Sequence, residues 1–202
     1  MAMTPDIAIL AKAPIPGFAK TRLIPAIGAH AAAVLQERLT ERTVATAVAA
    51  RVGRVTLWCA PDASHGSFRD LAGRFAITLR RQPQGDLGAR MLAAFDGGAA
   101  LVIGTDCPAL TPQHLRDAAA ALDGAALVLT PAEDGGYVLI GARRPHPELF
   151  SGMAWSTATV VAETRKRIAS LGLTSIELSP LWDVDSEGDL ARMERDLPAL
   201  AL

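Results

Sequence analysis

The sequence predicts an α/β fold, a mostly parallel sheet flanked by helices in a single domain spanning residues 1–202. Three observations lead there. A chain of 202 residues is about the size of one α/β domain and can bury a substantial core. Apolar runs of strand length recur along it, at DIAILAK, VTLWCA, AITLR, ALVIGT, ALVLTP, YVLIGA and SIELS. Helical stretches separate most of them, and that alternation is the mark of parallel strands covered by helices on both faces.

The elements follow in order. The first strand ends where AKAPIPGFAKTR, residues 11–22, brings in two prolines and a glycine. The clearest helix is AHAAAVLQERLTERTVATAVAA: Leu35 and Leu39 are four apart, as are Val44 and Val48, and Glu37, Arg38, Glu41 and Arg42 form a solvated face. Another helix opens at TPQHL, with Thr111 suited to the N-cap and Pro112 to the first turn. A third is expected from Ser156-Thr157 after Trp155, ending at Gly172. Ser186 suits the cap of a final helix. No internal repeat or low-complexity linker interrupts the series.

Composition narrows the function. Half the residues are apolar and the formal net charge is −1, which argues against a disordered tail and against a nucleic-acid surface. The expected partner is a small molecule. No apolar run is long enough to span a bilayer, and MAMTPDIAIL lacks the basic start and cleavage site of a signal peptide, so a cytoplasmic location is expected. Cys59 and Cys107 lack ligand-like spacing, and His30, His65, His114 and His146 complete no zinc pattern.

Ligands of open α/β sheets collect at the carboxyl ends of the strands, and four strand ends carry unusual chemistry. In AKAPIPGFAKTR, Pro14 and Pro16 stiffen a loop in which Gly17 permits unusual backbone angles and Lys12, Lys20 and Arg22 cluster three cations. Backbone N–H groups and cations together suit phosphates, although a basic surface loop has the same composition. The loop lacks the second glycine of a Walker A motif, and no G-x-G-x-x-G occurs.

In ALVIGTDCPALTP, Asp106 closes an apolar run, and Thr111 already provides the following helix cap. A carboxylate there suits Mg²⁺, which takes one or two protein carboxylates and draws its other oxygens from phosphates and water. In TPAEDGGYVLIG, Asp-Gly signals a turn, but the pair Glu133 and Asp134 also suits contact with a substrate hydroxyl, an amine or a metal. In LWDVDSEGDLARM, acidic residues favour a helix start for local reasons. Of Asp183 and Asp185, the second is favoured as a second metal ligand. The same D-x-D string is similar to the start of haloacid-dehalogenase-type phosphatases, but it lies late in the chain.

Taken in order, KAPIPGFAKTRL, QGDLGARM, IGTDCPALT, PAEDGGYVLIG, WSTATVVAET and DVDSEGDL resemble a bacterial family of undefined function, described as selenodomain-associated or arsenosugar-biosynthesis glycosyltransferase-like. The resemblance covers nearly the whole chain. It implies the nucleotide-diphospho-sugar transferase fold, also called glycosyltransferase-A, and a transferase that uses Mg²⁺ or Mn²⁺. It also implies roles: Asp106 and Asp185 as metal ligands, Lys20 and Arg22 on the nucleotide phosphates, and Gln82, Gln84 and Gly85 on the base. EDGGY would line the acceptor side, with Glu133 or Asp134 as base and Gly135, Gly136 and Tyr137 beside the substrate. Phe18 departs from the pattern, standing where such loops often carry a further basic residue. The expected partners are a nucleotide or nucleotide sugar and a small-molecule acceptor. Nucleotidyl transfer, glycosyl transfer and a catalytically inactive nucleotide-binding module all stay open, as does the oligomeric state.

Overall fold

The computed structural model describes residues 5–200; residues 1–4, read above for a leader sequence, lie outside that range. Each apolar run forms a strand: β1 Asp6–Lys12, β2 Val55–Ala60, β3 Thr78–Arg81, β4 Ala99–Ile103, β5 Leu127–Pro131, β6 Tyr137–Ala142 and β7 Ser175–Glu177. They make one seven-stranded sheet in the order β3-β2-β1-β4-β6-β5-β7. Pairing is parallel except for β6, which runs antiparallel to both β4 and β5. Connection length explains the exception. A parallel crossover needs about a dozen residues or more, and residues 132–136 leave room only for a turn between β5 and β6.

The helices are α1 Ile24–Ala50, α2 Gly66–Phe75, α3 Leu87–Asp96, α4 Pro112–Gly124, α5 Val160–Ser170 and α6 Glu187–Asp196. Strand alternation divides the core between the two faces of the sheet. Ile7, Ile9, Leu57, Leu101 and Ile103 face Val44 and Ala47 of α1, Phe68 of α2 and Leu115 of α4. Ala8, Trp58, Val102 and Ile140 face Met91 and Phe95 of α3 and Ile168 of α5. Phe68, Leu101 and Leu115 are fully buried, each contributing about 1.5–3 kcal/mol of transfer free energy. A third cluster joins Leu35 and Leu39 of α1 to Trp182, Val184 and Met193, seating the late segment against the first helix.

The helix signals hold with two adjustments. Gly28 interrupts α1 at φ 79°, so the regular helix starts where the apolar period does. Thr111 caps α4 in a capping box with His114, and Ser186 caps α6 in one with Asp189. The helix expected from Ser156 begins instead at Val160. Ser156 is left-handed at φ 63°, and the Thr157 hydroxyl bonds back to the Ala154 carbonyl, so these residues form a turn of their own.

Candidate active site

A cleft of about 580 Å³ opens at the carboxyl ends of β1 and β4, with Leu10, Ala11, Val102 and Ile103 among its lining residues. One wall is the loop after β1. Lys20 lies in it, left-handed at φ 48°, and its buried ammonium donates to the Val184 carbonyl at 2.7 Å. The same ammonium lies 2.5 Å from Asp106 and 3.6 Å from Asp185. Arg22 pairs with the other Asp185 oxygen at 3.1 Å. Lys12 also lines this wall.

Backbone bonds bring the acidic segments together. The Val184 N–H donates to the Asp106 carbonyl at 2.9 Å, the Leu181 N–H donates to Pro131 O at the end of β5 at 3.0 Å, and the Leu181 carbonyl accepts the Glu133 N–H of the following turn at 2.9 Å. Behind Asp106, the Arg42 side chain donates to Pro108 O at 2.7 Å and the Gln36 amide to the Thr105 hydroxyl at 2.9 Å. Helix α1 thereby fixes the loop that carries Asp106.

Residues 182–185 lie outside any strand ladder, and Asp183 and Asp185 both line the cleft. The Asp183 carboxyl is pushed up to about 7, first by burial and then by the charges of Asp106 and Asp134, while Lys20 pulls it down. Its Oδ1 is buried with no hydrogen-bond partner among the described residues. Burial also raises Asp185, with Lys20 opposing. Among the described residues no three potential ligands already converge on one point, since the Lys20 ammonium lies between Asp106 and Asp185. Hard oxygen donors and the orphaned Asp183 oxygen nevertheless fit a divalent cation of the Mg²⁺ type.

The opposite wall comes from α3, β6 and the turn before α5: Leu87, Arg90, Met91, Tyr137, Trp155 and Thr157. Asp134 and Gly136 also border the cleft, with Asp134 Oδ1 accepting the Gly136 N–H at 2.9 Å. Gly135 has φ 91°, and a Cβ there would lie 2.1 Å from Ala158 O, so only glycine lets the turn pack against residues 156–159.

The other expected site residues are placed differently. Glu133 turns away from the cleft and pairs with Arg192 at 2.7 Å. Gln82 borders the cleft, but its amide donates to Ala11 O at 2.9 Å and Trp58 O at 2.7 Å, tying β3 to β1 and β2. Gly17, Gln84 and Gly85 lie outside the lining. Sequence reasoning missed Gln36, Arg90, Trp155 and the paired role of Asp183. Arg90 and Trp155 lay within quoted motifs, QGDLGARM and WSTATVVAET. Gln36 gave no signal inside an amphipathic helix.

Comparison with known proteins bears on this arrangement. A family model described as "Uncharacterized protein conserved in bacteria (DUF2064)" matches residues 43–157. The chain belongs to that family. The matched span of DUF2064 includes Asp106, Asp134 and Tyr137 and leaves out the loop after β1 and Asp183–Asp185.

Among solved structures, this DUF2064 chain is similar to a protein from Desulfovibrio desulfuricans G20 provisionally described as a nucleotide-diphospho-sugar transferase. That match has 27% identity and TM-score 0.85, covering 96% of this chain and 87% of the other. It is similar in fold to 4-diphosphocytidyl-2C-methyl-D-erythritol synthase from Anaerococcus prevotii DSM 20548, with 12% identity, TM-score 0.60 and coverage of 97% and 100%. It is also similar in fold to Rv0371c of Mycobacterium tuberculosis H37Rv in complex with manganese, with 16% identity, TM-score 0.51 and coverage of 96% and 100%. The curated proteins give no match. The DUF2064 chain has the nucleotide-diphospho-sugar transferase fold that its motifs implied. Among its described residues, no helix is long and apolar enough to cross a membrane.

Proposed function

We propose that this protein is a divalent-metal-dependent transferase that takes a nucleotide or nucleotide sugar and passes a nucleotidyl or glycosyl group to a small-molecule acceptor. The observation that carries this reading is the juxtaposition of Asp106, Asp183 and Asp185 with Lys12, Lys20 and Arg22 at the carboxyl ends of β1 and β4. A structure similar in fold was solved with manganese, and another is named 4-diphosphocytidyl-2C-methyl-D-erythritol synthase, which supports the same class.

In this reading Asp106 and Asp185 hold Mg²⁺ or Mn²⁺, with Asp183 behind them. Bound there, the metal neutralises and orients the phosphate oxygens of the donor. Lys12 and Arg22 face those phosphates, and Lys20 holds the two acidic segments at the spacing the donor needs. Asp134, at the border of the cleft, accepts a proton from the attacking group. Rate enhancement comes from positioning and fixed charge, with no covalent protein intermediate.

The test is a thermal-shift panel of nucleoside triphosphates, diphosphates and nucleotide sugars, each with and without Mg²⁺. A ligand at about 100 times its Kd adds roughly 2.7 kcal/mol, about 5–10 °C for a domain of this size. A metal-dependent shift with a triphosphate selects nucleotidyl transfer; one with a nucleotide sugar alone selects glycosyl transfer. Asp106→Ala is expected to remove turnover by orders of magnitude while the protein stays folded. Nucleotide binding without metal dependence or turnover would identify a binding module in which Lys20 takes the place of the metal. No stabilisation by any nucleotide would overturn the proposal.

A further inference from the structure

The wall opposite the phosphate-facing loop has a chemistry of its own. Asp86 caps α3 by accepting the Ala89 N–H at 2.8 Å, and the first turn of that helix meets Trp155 closely. A Cβ on Gly88 would lie 2.7 Å from the Trp155 ring and 2.8 Å from Phe150 O, so only glycine lets the helix come this near. Tyr137 meets Trp155 edge to face, with centroids 6.4 Å apart and planes at 89°, and its hydroxyl lies 3.8 Å from Met91 Sδ. Trp155, Tyr137 and Met91 thus form a preformed apolar corner with aromatic faces.

Arg90 lies beside this corner. Its Nε donates to Gly85 O at 3.2 Å, and it pairs with no carboxylate among the described residues. The other arginine of the cleft, Arg22, is matched to Asp185, as is the buried Lys20 to Asp106. The terminal nitrogens of Arg90 are therefore an open fork suited to a carboxylate or phosphate. The corner's edge is held in a costly conformation: Ser156 is left-handed without being glycine, and Thr157 is tied back to Ala154 O.

We infer that the acceptor is a small molecule carrying a carboxylate or phosphate remote from its reacting group, bound by Arg90, with a ring or apolar face seated against Trp155 and Tyr137. This rests on the transferase reading above. A neutral acceptor would leave the Arg90 fork without a partner in a partly desolvated cleft, and a compact anion without a ring would leave the corner unfilled.

The experiment follows the Trp155 indole N–H by NMR, assigned with Trp155→Phe, while the Mg²⁺-treated protein is titrated with phenyl phosphate, benzoate and benzyl alcohol. At least one of the two anions is expected to move this signal with a Kd about tenfold or more below that of the alcohol, the worth of one charged hydrogen-bonded pair. Whichever anion binds tighter separates phosphate from carboxylate. Arg90→Gln is expected to erase the preference and Arg90→Lys to keep part of it, with Mg²⁺-nucleotide affinity unchanged in both. Equal binding of the alcohol, no response to either anion, or a preference surviving Arg90→Gln would overturn the inference. So would loss of nucleotide affinity in Arg90→Gln, which would move Arg90 to the donor. Failure of the transferase reading shows separately, as absence of any nucleotide shift in the wild-type protein.

Discussion

Lys20 and Val184, 164 residues apart, are joined by a 2.7 Å hydrogen bond from ammonium to carbonyl, and the same ammonium lies 2.5 Å from Asp106. One side chain therefore ties the loop after β1 to both acidic segments of the cleft. Removing one partner of a fully buried pair costs about 3–5 kcal/mol, but Asp106 is 46% exposed and water recovers part of that. Lys20→Met is expected to lower unfolding free energy by about 1–3 kcal/mol at pH 8 in EDTA. Saturating Mg²⁺ should restore most of it, and urea titration with and without metal checks both effects.

Asp183 predicts a pH dependence for the metal-free protein. Its folded-state pKa is raised to about 7 from an ordinary 3.8, so between these values the unfolded chain has released the proton and the folded chain keeps it. Stability from this group is thus fully present below about pH 4 and falls as pH rises towards 7. The expected loss is of order 3 kcal/mol. Asp183→Asn should flatten that slope, measured as urea midpoints from pH 4.5 to 8 in EDTA. An unchanged slope would mean that Asp183 is already ionised in the folded state.

Gly135→Ala tests the turn between β5 and β6. The new methyl would meet Ala158 O at 2.1 Å in a backbone conformation that already disfavours alanine. A loss of about 2 kcal/mol or more is expected, with a shifted Trp155 signal because residues 156–159 must move. Retained stability with an unmoved Trp155 would contradict the packing.

Cys59 and Cys107 are buried, and burial raises each thiol to about 12. At pH 8 both remain protonated, and thiolate is the reactive form. Neither should be alkylated by iodoacetamide within an hour in the native protein, and both should react in denaturant, as intact mass will show. Fast native labelling of Cys107 would mean that the Asp106 loop opens.

The fold was legible because its signals are local. Each strand announced itself as an apolar run, and Thr111 and Ser186 marked their helices through capping chemistry. The antiparallel β6 could be read only from the length of the connection before it. At the site, Asp106 followed from its place at a strand end. The joint placement of Asp183 and Asp185 did not, because their segment is held at the cleft by the Val184 N–H on Asp106 O and the Leu181 N–H on Pro131 O, bonds to distant parts of the chain. Glu133 illustrates the same limit: its neighbour Asp134 borders the cleft, while Glu133 pairs with Arg192, which sits over the Trp182 ring at 4.5 Å. Such pairings are set by distant segments and leave no local pattern.

The bond from Val184 N–H to Asp106 O makes the late segment structural for a site that begins more than half the chain earlier. Any ligand held between Asp106 and Asp185 must wait for residues 181–196 to dock, and must be released when they detach. Occupancy and local unfolding of that segment become one equilibrium. A bound metal or donor should therefore slow amide exchange and proteolysis across α6, which begins two residues after Asp185, making that helix a gauge of occupancy.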